Sequence, residues 1–125
     1  MVADKLAVRV RTVPEAVVVA ADGDLDLETA PVLRARAAAV LADRPEALIV
    51  DLGDVGFCGS AGLQVLAELV AETADGGIPL ALVAAHYPVV RVVRLSRLDE
   101  AVALHATVDD ARAWIRRQPG PATTD

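Results

Sequence analysis

The residues of this chain that could do chemistry concentrate in one run, Asp51-Leu52-Gly53-Asp54-Val55-Gly56-Phe57-Cys58-Gly59-Ser60-Ala61-Gly62-Leu63. It carries one hydroxyl, Ser60, one thiol, Cys58, and glycines at every third position. The apolar stretch Ala47-Leu48-Ile49-Val50 before it reads as a short buried strand, and residues 63–70 after it read as a helix. Ser60 therefore falls where a parallel strand hands over to a helix N-terminus. Backbone N–H groups and the positive end of the helix dipole converge at such a point and favour a negative group. A hydroxyl there can cap the helix, attack as a nucleophile, or carry a phosphate. Function turns largely on which of these Ser60 does.

The nucleophile reading has little support. Cys58-Gly59-Ser60-Ala61-Gly62 misses the Gly-x-Ser-x-Gly elbow because Cys58 takes the place of the first glycine. The order Ser60, Asp99, His105 imitates a hydrolase triad, yet the chain is too short for that fold and His105 lies in an apolar strand. Cys58 has no Lys beside it in sequence, so a small buried filler is expected rather than a reactive thiolate. The glycine series lacks a Gly-Lys-Ser/Thr ending and is not a P-loop; a loop with unusual backbone angles and close packing is expected. Asp22-Gly23-Asp24-Leu25-Asp26 opens like a calcium loop, but Leu27 and Leu33 stand where its glycine and closing glutamate belong. A turn with an acidic surface is expected there instead. Arg91, Arg94 and Arg97 read as a solvated helix face. His86 and His105 have no partners at metal-ligand spacing, so no metal or other cofactor is expected.

The elements that position Ser60 follow from periodicity. Leu6–Val13 and Ala16–Ala21 predict an antiparallel strand pair, with a turn at Asp22-Gly23-Asp24. Leu33, Ala37, Val40 and Leu41 mark one face of a helix with Thr29 as N-cap and Pro31 in its first turn. A strand over 47–52 and a helix from Ala61 follow. That helix should expose Gln64, Glu68 and Glu72, bury Leu63, Leu66, Ala67 and Val70, and stop at Asp75-Gly76-Gly77. Leu80–Ala84 is a further strand, Pro88 opens a helix through Leu95, and a last strand fits 101–104. Thr107 caps a final helix with Val108, Ala111 and Ile115 inward, Asp109 and Asp110 in its first turn, and Arg116 and Arg117 in its last. The order ββαβαβαβα predicts an α/β fold: one domain over residues 1–117, with a mixed, mostly parallel sheet of about five strands and about four helices. Residues 118–125 are expected to form a disordered tail.

Composition narrows the partners. The 125 residues are 54% hydrophobic and 24% charged, as in a globular domain. Aromatics at 2% leave almost no platform for stacking bases or sugars, and a net charge of −6 argues against nucleic acid or an anionic membrane. A lone cysteine, no signal-peptide core and no apolar run long enough to span a bilayer predict a cytoplasmic domain.

With these residues in hand, the chain resembles the STAS domain anti-sigma factor antagonists, the bacterial regulators of sporulation and stress response, over Leu6 to Ile115. Three blocks carry the likeness: residues 23–30, where Gly23-Asp24-Leu25-Asp26 leads to Thr29-Ala30; Asp51-Leu52 through Val55, Phe57, Ser60, Gly62 and Leu63; and residues 91–99. The resemblance implies that Ser60 is the phosphoacceptor, with Asp24, Asp26, Thr29, Cys58, Gly59, Ala61 and Gly62 meeting the partner. It further implies an anti-sigma factor serine kinase as that partner, a metal-dependent serine phosphatase that removes the phosphate, and no enzyme activity in the chain itself. Unphosphorylated antagonist would hold the anti-sigma factor and free a sigma factor. Gly59 departs from the Asp usual before the phosphoserine, and Ala61 from a common second hydroxyl. The alternative is a STAS scaffold, or a module sensing a nucleotide or small ligand, outside sigma factor control.

Overall fold

The computed structural model describes residues 6–119. The chain folds as β1 (Leu6–Val13), β2 (Ala16–Leu25), α1 (Ala30–Ala42), β3 (Leu48–Cys58), α2 (Ser60–Gly76), β4 (Leu80–Ala84), α3 (Tyr87–Leu95), a 3₁₀ turn at Leu98–Glu100, β5 (Ala103–His105) and α4 (Val108–Arg116). The sheet order is β1-β2-β3-β4-β5. Only β1 runs antiparallel to its neighbour; the β2–β3, β3–β4 and β4–β5 pairs are parallel. This is the expected mixed, mostly parallel sheet with four helices.

Two cores lie on the two faces of the sheet. The larger packs Val19, Leu25, Leu48, Val50 and Leu52 against Leu33 and Ala37 of α1, Leu66 and Leu69 of α2, and Val89 and Val93 of α3. The smaller packs Val18, Ile49, Ala81 and Val83 against Ala111 and Ile115 of α4. Leu48, Ile49 and Val50 in sequence are all fully buried because the middle of a covered parallel sheet has no solvent face. Gly77 ends α2 in the left-handed region at φ 68°, where a side chain would be strained. Thr107 caps α4 by accepting from the Asp110 N–H at 3.1 Å.

The structure departs from expectation in the second and third strands. β2 does not turn at Asp22-Gly23-Asp24; it runs on to Leu25, paired with β3, and Gly23 at φ 130° supplies the backbone angle. β3 likewise continues through residues 53–58, which are extended chain rather than loop. Its pairing with β2 slips twice: Ala20 and Asp22 face Asp51 and Asp54, then Gly23 and Asp24 face Val55 and Phe57. Each slip places an extra residue on β3, so each is a bulge. A bulge reverses the in–out alternation, which is why Leu52, Val55 and Cys58 are buried at a spacing of three rather than two. Gly53 and Gly56 fall at the two irregularities, which accounts for half of the glycine series.

Smaller corrections concern the helices. The Thr29 side chain makes no cap bond to the first turn of α1. Instead Asp26 Oδ1 accepts the Thr29 and Glu28 N–H groups at 3.0 Å, while Thr29 Oγ1 accepts the Asp26 N–H at 2.9 Å. This reciprocal pair closes the turn that leads into α1, with Thr29 at the N-cap position. On α2 the buried stripe is Gly62, Val65, Leu66, Leu69 and Thr73, rotated from the expected one, and Ala67 is exposed. Glu68 and Glu72 are not merely solvated: Arg34 of α1 bridges both, with Nε 3.0 Å from Glu68. Of the expected tail, Gln118 donates to the Trp114 carbonyl at 3.1 Å, and residues 120–125 lie outside the described residues.

Two contacts carry checkable consequences. Gly62 faces β2 and β3 so closely that a Cβ there would lie 2.8 Å from Cys58 Sγ and 2.9 Å from Leu25 Cβ. Gly62→Ala is expected to destabilise the fold by about 1–3 kcal/mol in urea unfolding, and Cys58→Ala in the same chain should recover part of the loss. A Gly62→Ala variant as stable as the native chain would refute the contact. Glu15, in the β1–β2 turn, accepts from Arg112 Nε at 2.8 Å and Arg116 Nη1 at 2.7 Å. Those bonds hold its carboxyl down at about 2 against an ordinary 4.5. A depressed carboxylate stabilises the fold above its unfolded pKa and loses that contribution as pH falls. The native chain should therefore melt above Glu15→Gln at pH 7, with the gap closing between about pH 4.5 and 2. A gap that persists unchanged to pH 2 would contradict the ion pair.

Candidate functional site

The carboxyl ends of β2, β3 and β4 meet at one edge of the sheet, the edge at which open α/β sheets place their sites. Three connections leave from it: Asp26–Thr29 into α1, Gly59 into α2, and Ala85-His86 into α3. Ser60 is the first residue of α2 and is exposed. Gly59 stands at the N-cap in extended conformation, φ −89° and ψ −173°, with no side chain to cap the helix and no acidic residue in the first turn. The 17-residue helix therefore presents its first N–H groups to whatever lies over Ser60. No hydrogen bond among the described residues engages Ser60 Oγ.

The backbone under this point is pinned. Gly59 N–H donates to the Leu25 carbonyl at 2.9 Å, tying the start of α2 to the end of β2, and Leu63 N–H closes the first turn onto the Gly59 carbonyl at 3.0 Å. On the neighbouring strand, Asp24 lies opposite Phe57 and Leu25 opposite Cys58. Asp24 is exposed and its carbonyl accepts the Thr29 hydroxyl at 2.6 Å.

The structure thus brings Asp24, Asp26, Gly59, Ser60 and Ala61 to one edge, at or near the surface. Thr29, Cys58 and Gly62 are at the same edge but beneath it. Thr29 fastens the β2–α1 connection, and Gly62 makes the close approach of α2 to the sheet. Cys58, the only cysteine, is the buried filler its sequence setting suggested; burial pushes its thiol up to about 11. That value leaves no thiolate for chemistry near neutral pH.

Ser60, Asp99 and His105 are not brought together. Asp99 borders a cleft with Leu80 and Ala103, the first residues of β4 and β5, at the edge opposite Ser60. His105 ends β5 and packs its ring 5.8 Å from that of Trp114 on α4, across the sheet from α2.

Sequence reasoning missed the apolar character of the Ser60 edge. Leu27 is 83% exposed, Phe57 51% and Tyr87 71%, one on or beside each of the three connections. Phe57 and Tyr87 are the only phenylalanine and tyrosine of the chain, and that scarcity was the available signal. Large side chains left in water together mark contact surfaces, and aromatics are the usual anchors. Phe57 points outward because the second bulge of β3 turns it there.

Known proteins share this architecture and part of the sequence. The STAS domain family matches residues 7–111. The anti-sigma-F factor antagonist RsfB of Mycobacterium tuberculosis is 34% identical over 113 residues, which cover 90% of this chain and 92% of that protein. The crystal structure of an anti-sigma factor antagonist from Mycobacterium paratuberculosis superposes with a TM-score of 0.85 at 33% identity, over 93% of this chain and 99% of that one. SpoIIAA, an anti-sigma factor antagonist, shares the fold in its unphosphorylated form, with a TM-score of 0.73 at 20% identity over 91% of this chain and 100% of that one. The family match across residues 7–111 and the curated relative agree: this chain belongs to the STAS domain family, beside proteins that are anti-sigma factor antagonists.

Proposed function

We propose that this protein is an anti-sigma factor antagonist whose binding is switched by phosphate at Ser60. The observation that carries the reading is the exposed, unengaged hydroxyl of Ser60 on the uncapped N-terminus of α2, in a chain 34% identical to an anti-sigma-F factor antagonist. In this reading the unmodified edge binds an anti-sigma factor that is also a serine kinase, and a sigma factor is released. The kinase transfers the γ-phosphoryl of ATP to Ser60 Oγ, whose proton is lost, and a metal-dependent serine phosphatase later hydrolyses the ester. The chain is substrate and ligand rather than enzyme, and it works in the cytoplasm, where ATP and the sigma factor are. Asp24, Asp26, Gly59 and Ala61 form the contact surface, supported from below by Thr29, Cys58 and Gly62.

The physics of the switch is an asymmetry between fold and interface. Phosphorylation adds about −1.5 to −2 charges at pH 7. Within the protein, the free N–H groups and dipole of α2 favour that charge. At an interface packed around a hydroxyl, the same charge must be desolvated and faces any partner carboxylate. A penalty of roughly 2–4 kcal/mol weakens binding by about 30- to 1000-fold.

Phosphosite mapping after incubation with candidate anti-sigma kinases and ATP is expected to place the phosphate at Ser60, and Ser60→Ala should incorporate none. Calorimetry should find Ser60→Ala bound to the anti-sigma factor constitutively. Ser60→Asp should bind at least tenfold more weakly, with an unchanged circular dichroism spectrum. Equal affinities of the two variants would sink the switch and favour a STAS scaffold outside sigma factor control.

A further inference from the structure

The phosphoacceptor reading leaves Phe57 without a role and gives Gly59 only a place in the contact surface, and the geometry joins them. A Cβ built on Gly59 would sit 3.3 Å from Phe57 Cε2, 3.4 Å from Cζ, and 3.7 Å from the Leu25 carbonyl oxygen. The Phe57 ring therefore lies over the bare α-carbon of Gly59, in space that a side chain at 59 would claim. The backbone cannot give way, because Gly59 N–H is tied to that same Leu25 carbonyl at 2.9 Å. The ring is half-exposed and is the part that would give, by a few tenths of an ångström at the Cβ alone and further for a longer side chain. Glycine is not needed here for its backbone freedom: φ −89° and ψ −173° are open to any residue. An N-cap filled by glycine also forgoes the side-chain cap that Ser, Asp or Asn would add to a 17-residue helix. What glycine provides at this position is room for the ring.

We infer that Phe57 is the apolar anchor of the partner interface and that Gly59 is a positioning residue that holds its ring beside Ser60. The inference rests on the reading of the Ser60 edge as the partner-binding surface. The occupant it implies is an anti-sigma factor pocket lined by aliphatic or aromatic side chains, seated next to the phosphoacceptor at the edge that also exposes Leu27 and Tyr87. An aromatic ring half in water, beside two other exposed hydrophobics at the same edge, loses solvent when such a pocket closes over it. Placing that anchor three residues from Ser60 also explains why phosphate acts on affinity: the charge arrives at the margin of the driest part of the contact.

The test is a double-mutant cycle on the full chain, using an anti-sigma factor that binds Ser60→Ala. Phe57→Ala is expected to weaken binding about 30-fold, the scale of a hot-spot residue. Gly59→Asn supplies a good N-cap without charge or hydroxyl, so its melting temperature should equal or exceed that of the native chain. Its affinity should nonetheless fall about tenfold, because the ring is displaced. Combined with Phe57→Ala, Gly59→Asn should cost nothing further. A merely structural role for Gly59 would lower stability and affinity together. Full affinity in Phe57→Ala or Gly59→Asn would overturn the inference, as would losses that multiply in the double variant. Ser60→Asp, run alongside, separates the two ideas. If it binds as Ser60→Ala does, the phosphate switch fails, whatever the Phe57 cycle gives.

Discussion

The contact between Gly62 and the paired ends of β2 and β3 is the constraint on which the rest of the structure depends. It brings α2 down onto Leu25 and Cys58 at distances that admit no side chain. Because the helix is seated there, its first residue, Ser60, must emerge at the carboxyl edge of the sheet. The Gly59–Leu25 hydrogen bond fixes the same point from the backbone side. Together they convert a local sequence motif into a fixed position at the surface. The buried cysteine belongs to this packing rather than to chemistry, and its raised pKa is a consequence of the same burial.

Two features then divide the work at that edge. The uncapped start of α2 makes the fold tolerant of negative charge, because no side chain among the described residues caps its first N–H groups. The exposed Leu27, Phe57 and Tyr87 make the surface receptive to an apolar partner, which is intolerant of charge. Neither feature alone gives a switch. A charge-tolerant fold with a wet, polar interface would bind its partner much the same in both states, and an apolar interface without the helix terminus would lack the donors that favour the phosphate on the folded chain. In the proposed switch, the combination would let one modification leave the fold intact and change only what it binds. Ion pairs of Glu15 with Arg112 and Arg116, and of Arg34 with Glu68 and Glu72, join other elements of the fold.

Much of the architecture was legible in the sequence where one local signal sufficed. Gly77 stopping α2, Thr107 capping α4 and the apolar run of β4 each depend on a few adjacent residues, and each stood as read. Ser60 at a strand-to-helix junction was legible for the same reason. The bulges of β3 were not, because a bulge is a property of pairing between two strands, and glycines spaced by three look like a loop when read alone. Once Gly53 and Gly56 are taken as loop, the outward turn of Phe57 and its seat over Gly59 are invisible too. Thr29 holds the N-cap position of α1 as read, but its hydroxyl is taken up by Asp26 and the Asp24 carbonyl rather than by the first turn, which residue type alone does not report. The Glu15 cluster joins residues 97 and 101 positions apart, a separation no local pattern reports.

The central claim is that phosphate at Ser60 changes the interface and not the fold. Its most direct test is one preparation of this chain, titrated calorimetrically against its anti-sigma factor before and after stoichiometric phosphorylation at Ser60, with amide chemical shifts recorded for both forms. The account predicts affinity lower by about 30-fold or more in the phosphorylated form, with shift changes confined to residues around Gly59–Leu63. Unchanged affinity, or shift changes spread through both cores, would contradict it.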